Sequence, residues 1–562
     1  MKTVKYIYIL AFVGLVSCAD LDLNPLSQGS SESWYSNETE IDMSVNDLFR
    51  DVFWPDLSDS WTDDYTNREA LTPITNATIN GEWGTINSLW ANTYKVIARC
   101  NTILLNLDKV EGKVPQATID DFQGNALFVR AQKYAEMTFL FGDVIYSEDI
   151  LSLDDAFSLS RTDKNTIKEA VYRDFDLAAQ LLPESYGSSE NKRGTKGAAL
   201  AMKARYAMEM GDWDVARAAA KACMDLGVYS LHSDFDNLFL TQTRNPEEVI
   251  FAIPRSRALN ATWYVRDFLP RNAGGWGGAQ APSWDLFSAF LCTDGLPIDE
   301  SPLYDPHNPF ENRDPRCSST IVEFQSTHLN FTYEPHPDSV TVMNFNTGSR
   351  QANNDTRSVA PFASFNGLLL QKGVDEDWLP NFNAENDRIL MRYADVLLMY
   401  AEASIESGQI DQTVLDAINM VRARAYKVDY SDTSSYPAVI SMNQAELREV
   451  IRFERRMEFA FEGNRYRDII RWGIAEKALN QSIYGLLDPV DLKEKVVDQG
   501  LWFFPMTPEV DENGIADLSP MYEAGLVKRL AIRSFDGSKQ YLWPIPTKEI
   551  LINDNLNQNP GY

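Results

Sequence analysis

The chain has 562 residues, 44% of them apolar and 23% charged, ordinary proportions for a globular protein and enough length to bury a large core. Its 81 acidic residues against 51 basic ones leave a formal charge of −30, which repels polyanions and argues against nucleic acid and, less strongly, against sulfated or uronic-acid-rich glycans. Five cysteines without a CxxC pair exclude a zinc or thioredoxin motif and a dense disulfide framework.

Lys2 and Lys5 precede an apolar run over 6–16, too short to span a bilayer, which takes about 20 residues, so it reads as a secretory signal. The run ends in Leu15-Val16-Ser17-Cys18, a small residue before a cysteine, which is the lipobox pattern. Cleavage there would leave Cys18 as an acylated N-terminus followed by a polar, proline-bearing tether. The expected division is signal peptide 1–17, lipidated tether 18–30, helical region 31–240, loop-rich ligand-binding insertion 241–386 and C-terminal region 387–562.

Leu89, Thr93, Val96, Ile97, Ile103 and Leu104 recur at helix spacing and predict a helix over 88–107. Helices over 122–141 and 166–182 end at Gly142 and Pro183. Segments 196–210 and 213–226 form a helical hairpin hinged at Gly211-Asp212. Ala216, Ala219 and Ala220 share one face, so the two helices can approach closely, loosely like a tetratricopeptide (TPR) unit. From about 240 to 386 Gly, Pro, Asn, Ser and aromatics rise. Residues 271–278, Arg-Asn-Ala-Gly-Gly-Trp-Gly-Gly, cannot be a helix interior, where each glycine costs about 1 kcal/mol. Loops with short strands are expected there, one strand over 339–346. Helices return over 388–407, 411–425 and 444–472, the last broken at Gly463. The short basic clusters Lys192-Arg193 with Lys196, and Arg255-Ser256-Arg257, read as solvated turns.

No HExxH, GxSxG, P-loop or GxGxxG motif occurs, and the four histidines are not spaced as metal ligands, so no cofactor or metal is expected. Acid pairs such as Asp63-Asp64 could mimic a glycosidase dyad, but their spacing in space decides that. Aromatic residues remain. Trp90, Trp213, Trp472 and Trp543 sit in helical or structural strings, whereas Trp61, Trp83, Trp263, Trp276 and Trp378 sit in loop-like, polar contexts. Sugar rings present flat C–H faces to aromatic rings, and their hydroxyls need Asn, Arg or Asp. Trp61, Trp83, Trp263, Tyr264, Trp276 and Trp378 would suit such a platform, with Arg68 and Asn272 as hydrogen-bonding partners and Arg271 nearby; for each tryptophan taken singly, packing within its loop is the equal alternative. Three or four stacks at about 0.5–1.5 kcal/mol each, with hydrogen bonds, give about 4–6 kcal/mol, a millimolar to tens-of-micromolar affinity.

Several strings, in order, resemble the SusD-like (RagB/SusD) family: 124–131 through Gly142-Asp143, the run 392–403 (RYADVLLMYAEA), the run 454–468 (ERRMEFAFEGNRYRD), Asn312-Arg313-Asp314-Pro315-Arg316, and Trp543-Pro544-Ile545-Pro546 with Asn559-Pro560-Gly561-Tyr562. Asn464 and Tyr466 stand where the family often has His and Trp. Read from the residues alone, these strings are structural. Ile389, Tyr393, Val396, Leu397 and Tyr400 share a helical face, and the mixed-sign Glu/Arg string suits ion pairs. The resemblance implies a mainly α fold of TPR-like helical hairpins (an α-α superhelix) with a loop-rich subdomain containing a few short strands. It implies a ligand site of exposed loop aromatics and no enzymatic activity. The implied function is capture of an oligo- or polysaccharide at the outer-membrane surface and its delivery to a SusC-like TonB-dependent transporter. The early acidic residues after Cys18 resemble the surface-export signal of Bacteroidetes lipoproteins. Alternatives are a peptide ligand, a surface glycosidase, or a structural lipoprotein without a small ligand.

Overall fold

The computed structural model describes residues 34–55, 57–187 and 193–562. The expected signal peptide, the lipidation site Cys18 and the tether lie outside the described residues. The N-terminal part is a succession of helices: α1 (Glu38–Asp47), α2 (Gly84–Leu104), α3 (Gln116–Phe141), α4 (Lys164–Leu181), α5 (Lys196–Met210) and α6 (Trp213–Met224). From α2 onward each packs against the next. Local chemistry sets the ends. The Asp163 carboxylate caps α4, the Thr195 hydroxyl accepts the Ala198 N–H at the start of α5, and Gly211 closes α5 with φ 75°. Helix α2 begins four residues before its predicted start, because Ile86 is itself buried and extends the apolar stripe.

Helix α3 is buried along nearly all of 122–141, charged residues included. A buried charge needs a partner. Arg130 donates to Asp174 at 2.7 Å, and Lys133 to Glu136 at 2.8 Å. Arg193, expected in a solvated turn, is instead 7% exposed and pairs with Asp42 and Asp121, fastening its loop to α1 and α3.

The next 150 residues leave the helical stack. They contain β1 (Val249–Ile253), β2 (Trp263–Tyr264) and a four-stranded antiparallel sheet of β3 (Thr327–His328), β4 (Phe331–Thr332), β5 (Thr341–Asn344) and β6 (Ser349–Ala352). β7 (Asn383–Ala384) pairs with β2, and β8 (Arg388–Arg392) pairs with β1 in the register Arg388↔Ile253, Ile389↔Ala252. The helix predicted from 388 therefore starts only at Tyr393, and Ile389 lies on a strand. An apolar run of this length satisfies either element, and pairing with β1 decides it.

The chain then rejoins the stack. Helix α7 (Tyr393–Glu406) packs on α6, 170 residues earlier, and is followed by α8 (Gln412–Ala425), α9 (Gln444–Glu458) and α10 (Arg465–Arg471). The predicted break at Gly463 is wider than one residue: 459–464 are non-helical, with Phe461 at φ 60° and Gly463 at φ 74°.

The two halves are joined by buried ion pairs. Arg316 donates to Asp314, Glu454 and Glu458. Arg392 meets Glu248, Glu458 and Glu462, and Arg424 meets Glu248 and Glu458. Burial would raise the Glu458 carboxyl, but Arg424, Arg392 and Arg316 together hold it well below the ordinary carboxylate range. The C-terminal segment closes the far end. The Trp543 N–H donates to Leu140 O at 2.6 Å, and Asn559 Nδ2 donates to Phe141 O at 2.9 Å and Trp543 O at 2.7 Å.

Candidate functional site

The glycine-rich loop 271–278 is held in one conformation by its own backbone. Gly275 N–H donates to Pro270 O, Trp276 N–H to Arg266 O and Gly277 N–H to Leu269 O, all near 3 Å. A Cβ on Gly275 would lie 2.2 Å from Leu269 O, and one on Gly277, at φ 69°, would lie 2.6 Å from Arg271 Cγ. Only glycine permits these approaches. The loop projects Trp276, which is 44% exposed, and beside it stands Phe362, 60% exposed.

Arg68 binds these two aromatics together. Its Nη2 donates to Trp276 O at 2.7 Å and to Phe362 O at 3.1 Å, and its guanidinium lies 5.5 Å from the Phe362 ring centroid and 5.6 Å from that of Phe365. Arg266 lies over both the Trp276 ring (5.2 Å) and the Phe382 ring (4.8 Å). Behind the loop, Asp355 is buried and accepts the Arg271 N–H (2.6 Å) and the Asn272 N–H (3.2 Å). Burial pushes the Asp355 carboxyl up to about 6, against the pull of those two amides.

The structure separates the expected platform into four groups. Trp276 and Arg68 come together as described. Tyr264 is 56% exposed on β2, whose alternation turns Trp263 the opposite way. Trp263 and Trp378 meet edge to face at 5.0 Å and line a cleft of about 290 Å³ with Tyr65, Phe239, Phe268 and Phe461. Trp378 is 1% exposed there, so it is core rather than surface, although its indole N–H has no partner among the described residues. Trp61 is also a correction, and Trp83 is half-buried. Trp61 is 6% exposed, and both rings pack on Trp543, at 5.2 and 5.7 Å, inside the helical framework. A loop address did not expose Trp61, because its partner arrives from the far end of the chain.

Asn272 is a correction of another kind. Its side chain bridges loops, donating to Asn353 Oδ1 at 3.2 Å and accepting the Asn354 N–H at 3.0 Å, so it ties 271–278 to the segment after β6. Phe362, Arg266 and Phe382 were missed. Arg266 stands two residues after the Trp263-Tyr264 pair, a signal that was available; Phe362 carries none in its own neighbourhood. The acid pair Asp63-Asp64 is 1% exposed at each residue and is clamped by Arg456 and Arg465, so it faces no open site. Burial would raise Asp63, but Arg456, Arg465 and Arg533 hold it well below its ordinary value. Among the described residues no cluster of His, Cys, Asp and Glu could hold a metal.

Comparisons with known proteins bear on this arrangement. The model described as "SusD family" matches residues 247–562, and one described as "Starch-binding associating with outer membrane" matches 31–208. The chain is 25% identical to SusD-like protein P2 of Formosa agariphila over the full length of both. A SusD-like carbohydrate binding protein from Bacteroides fragilis superposes with TM-score 0.75 at 27% identity, covering 93% of this chain and 99% of that one. Surface glycan-binding protein A from Bacteroides fluxus shares the fold at TM-score 0.62 and 19% identity, covering 94% of this chain and all of that one.

Proposed function

Because the chain belongs to the SusD family, we propose that it captures an oligo- or polysaccharide at the outer-membrane surface, without cleaving it, and passes it to a SusC-like TonB-dependent transporter while anchored through Cys18. The observation that carries this reading is the pair of outward aromatic rings, Trp276 and Phe362, tied together by Arg68, with Trp276 set on a loop that requires glycine at 275 and 277. Such a surface stacks on sugar rings without needing to reorganise, which lowers the entropic cost of binding. The Bacteroides fragilis relative, described as carbohydrate binding, supports the ligand class, and the outer-membrane description of the N-terminal match supports the location. The expected affinity is weak, and weak capture suits a protein that releases its ligand to a channel held close by at high effective concentration.

The test is affinity electrophoresis of the soluble protein, starting after Cys18, through gels containing a panel of polysaccharides. Retardation by at least one polymer, lost in Trp276→Ala and in Phe362→Ala with unchanged thermal melts, is the expected result. Retardation that survives both substitutions would overturn this placement of the site. No retardation by any polymer would overturn the glycan reading.

A further inference from the structure

Most buried or half-buried arginines of this acidic chain are matched to carboxylates: Arg316, Arg392, Arg424, Arg455, Arg456, Arg465 and Arg471 all are. Around Trp276 the pattern reverses. Arg68, Arg266 and Arg271 form no ion pair with any described residue. Arg68 donates only to two backbone carbonyls and Arg266 to Gly274 O. The Arg271 side chain donates to nothing among the described residues, and its alkyl part lies against Gly277, next to Trp276.

Two acids reach these arginines only through space, Asp267 acting on Arg68 and Asp355 on Arg271, with no salt bridge to either. Asp267 accepts from Gln280, and Asp355 is buried behind the loop on backbone amides. The arginines also oppose one another: burial first and then Arg271 lower the affinity of Arg68 for its proton. With 81 acids in the sequence, three neighbouring arginines without a salt bridge, served only by the through-space pull of Asp267 on Arg68 and of Asp355 on Arg271, leave room for an anion supplied from outside.

We propose that Arg68, Arg266 and Arg271 recognise an anionic substituent, a uronate carboxylate or a sulfate ester, on the glycan whose ring stacks on Trp276. The inference rests on the glycan reading above and goes further by fixing the charge class of the ligand. Guanidinium matches both groups with paired, charge-assisted hydrogen bonds that hydroxyls cannot equal. The charge of −30 does not forbid this. At physiological salt a charge is screened over about 8 Å, so the local cluster governs a bound substituent and the distant acids do not.

The experiment titrates the soluble protein with matched polymers: a polyuronate and its carboxyl-reduced form, a sulfated galactan and its desulfated form, and a neutral β-glucan. One charged polymer should bind at least about tenfold more tightly than its neutralised form, the size of one good charge-assisted contact. Which pair shows the difference separates carboxylate from sulfate. The preference should shrink between about 50 and 500 mM salt. Arg271→Gln should remove most of it and Arg271→Lys should keep part, both with unchanged melts. Equal binding of charged and neutral forms would overturn the inference while leaving the platform standing. A charge preference that survives both Arg271→Gln and Arg266→Gln would overturn the assignment to these arginines. Binding to no polymer would overturn the inference together with the glycan reading.

Discussion

Glu458→Gln probes the ion pairs that hold the helical stack to the loop-rich part. Glu458 is 0% exposed and accepts from Arg316, Arg392 and Arg424, side chains that are themselves 0%, 1% and 4% exposed. Glutamine keeps the shape and removes the charge, leaving Arg316 to Asp314 and Glu454, Arg392 to Glu248 and Glu462, and Arg424 to Glu248. Removing one partner of a buried pair costs about 3–5 kcal/mol, and the remaining acids should hold the loss near the lower end. At about 2 cal/mol/K of unfolding entropy per residue, a chain this long loses only about 1 °C of Tm per kcal/mol, so denaturant midpoints are the better assay. The pH dependence gives a second reading. The Glu458 carboxyl is held below its ordinary value, so its contribution is present above the unfolded pKa and is lost as pH falls through the folded one. The gap between wild type and Glu458→Gln should be full at pH 7 and shrink below about pH 4.5. A loss under about 1 kcal/mol at pH 7 with no change in the gap on acidification would show that the arginines do not depend on this carboxylate.

Trp61→Ala should destabilise by about 3–5 kcal/mol in denaturant melts, whereas Trp276→Ala should shift stability by less than about 1 kcal/mol, because only the first ring is buried. Asp355 has a folded pKa raised to about 6 from 3.8, so its contribution is fully present below the unfolded value and is lost as pH rises through the folded one; Asp355→Asn should remove a fall in stability between those values. His328, with its folded pKa lowered by burial to about 4, gives the opposite slope, and His328→Gln should remove a rise in stability between pH 4 and 6.5. Cys100, buried and with its thiol pushed up to about 12, should stay inert to a thiol reagent until denaturant unfolds the chain.

Local features of the fold were legible in the sequence, and those made by distant partners were not. The α5–α6 hairpin could be read because Gly211 and the alanine spacing are complete within thirty residues. The strand at Arg388–Arg392 could not, because its partner β1 lies well over a hundred residues earlier. The same division runs through the candidate site. The glycine run that sets up Trp276 announces itself, and the bulk charge suggests a poor surface for anions. Where Trp61 packs, and which arginines lack carboxylates, depend on contacts between residues hundreds of positions apart, such as Trp61 with Trp543 and Arg68 with Phe362.

The closure of α3 by Trp543 and Asn559 has a consequence for how the protein is made. Synthesis delivers the chain from its N-terminus, so the segments carrying Trp61, Trp83 and Phe141 emerge some 400 residues or more before the segment that covers their aromatic cluster. Until residue 559 has followed, the face of that cluster that Trp543 covers stays open to water. Such long-range closure slows folding and leaves apolar surface uncovered in the interim. A nascent chain halted before Trp543 is thus a natural client for a holding chaperone, and a finished one is not.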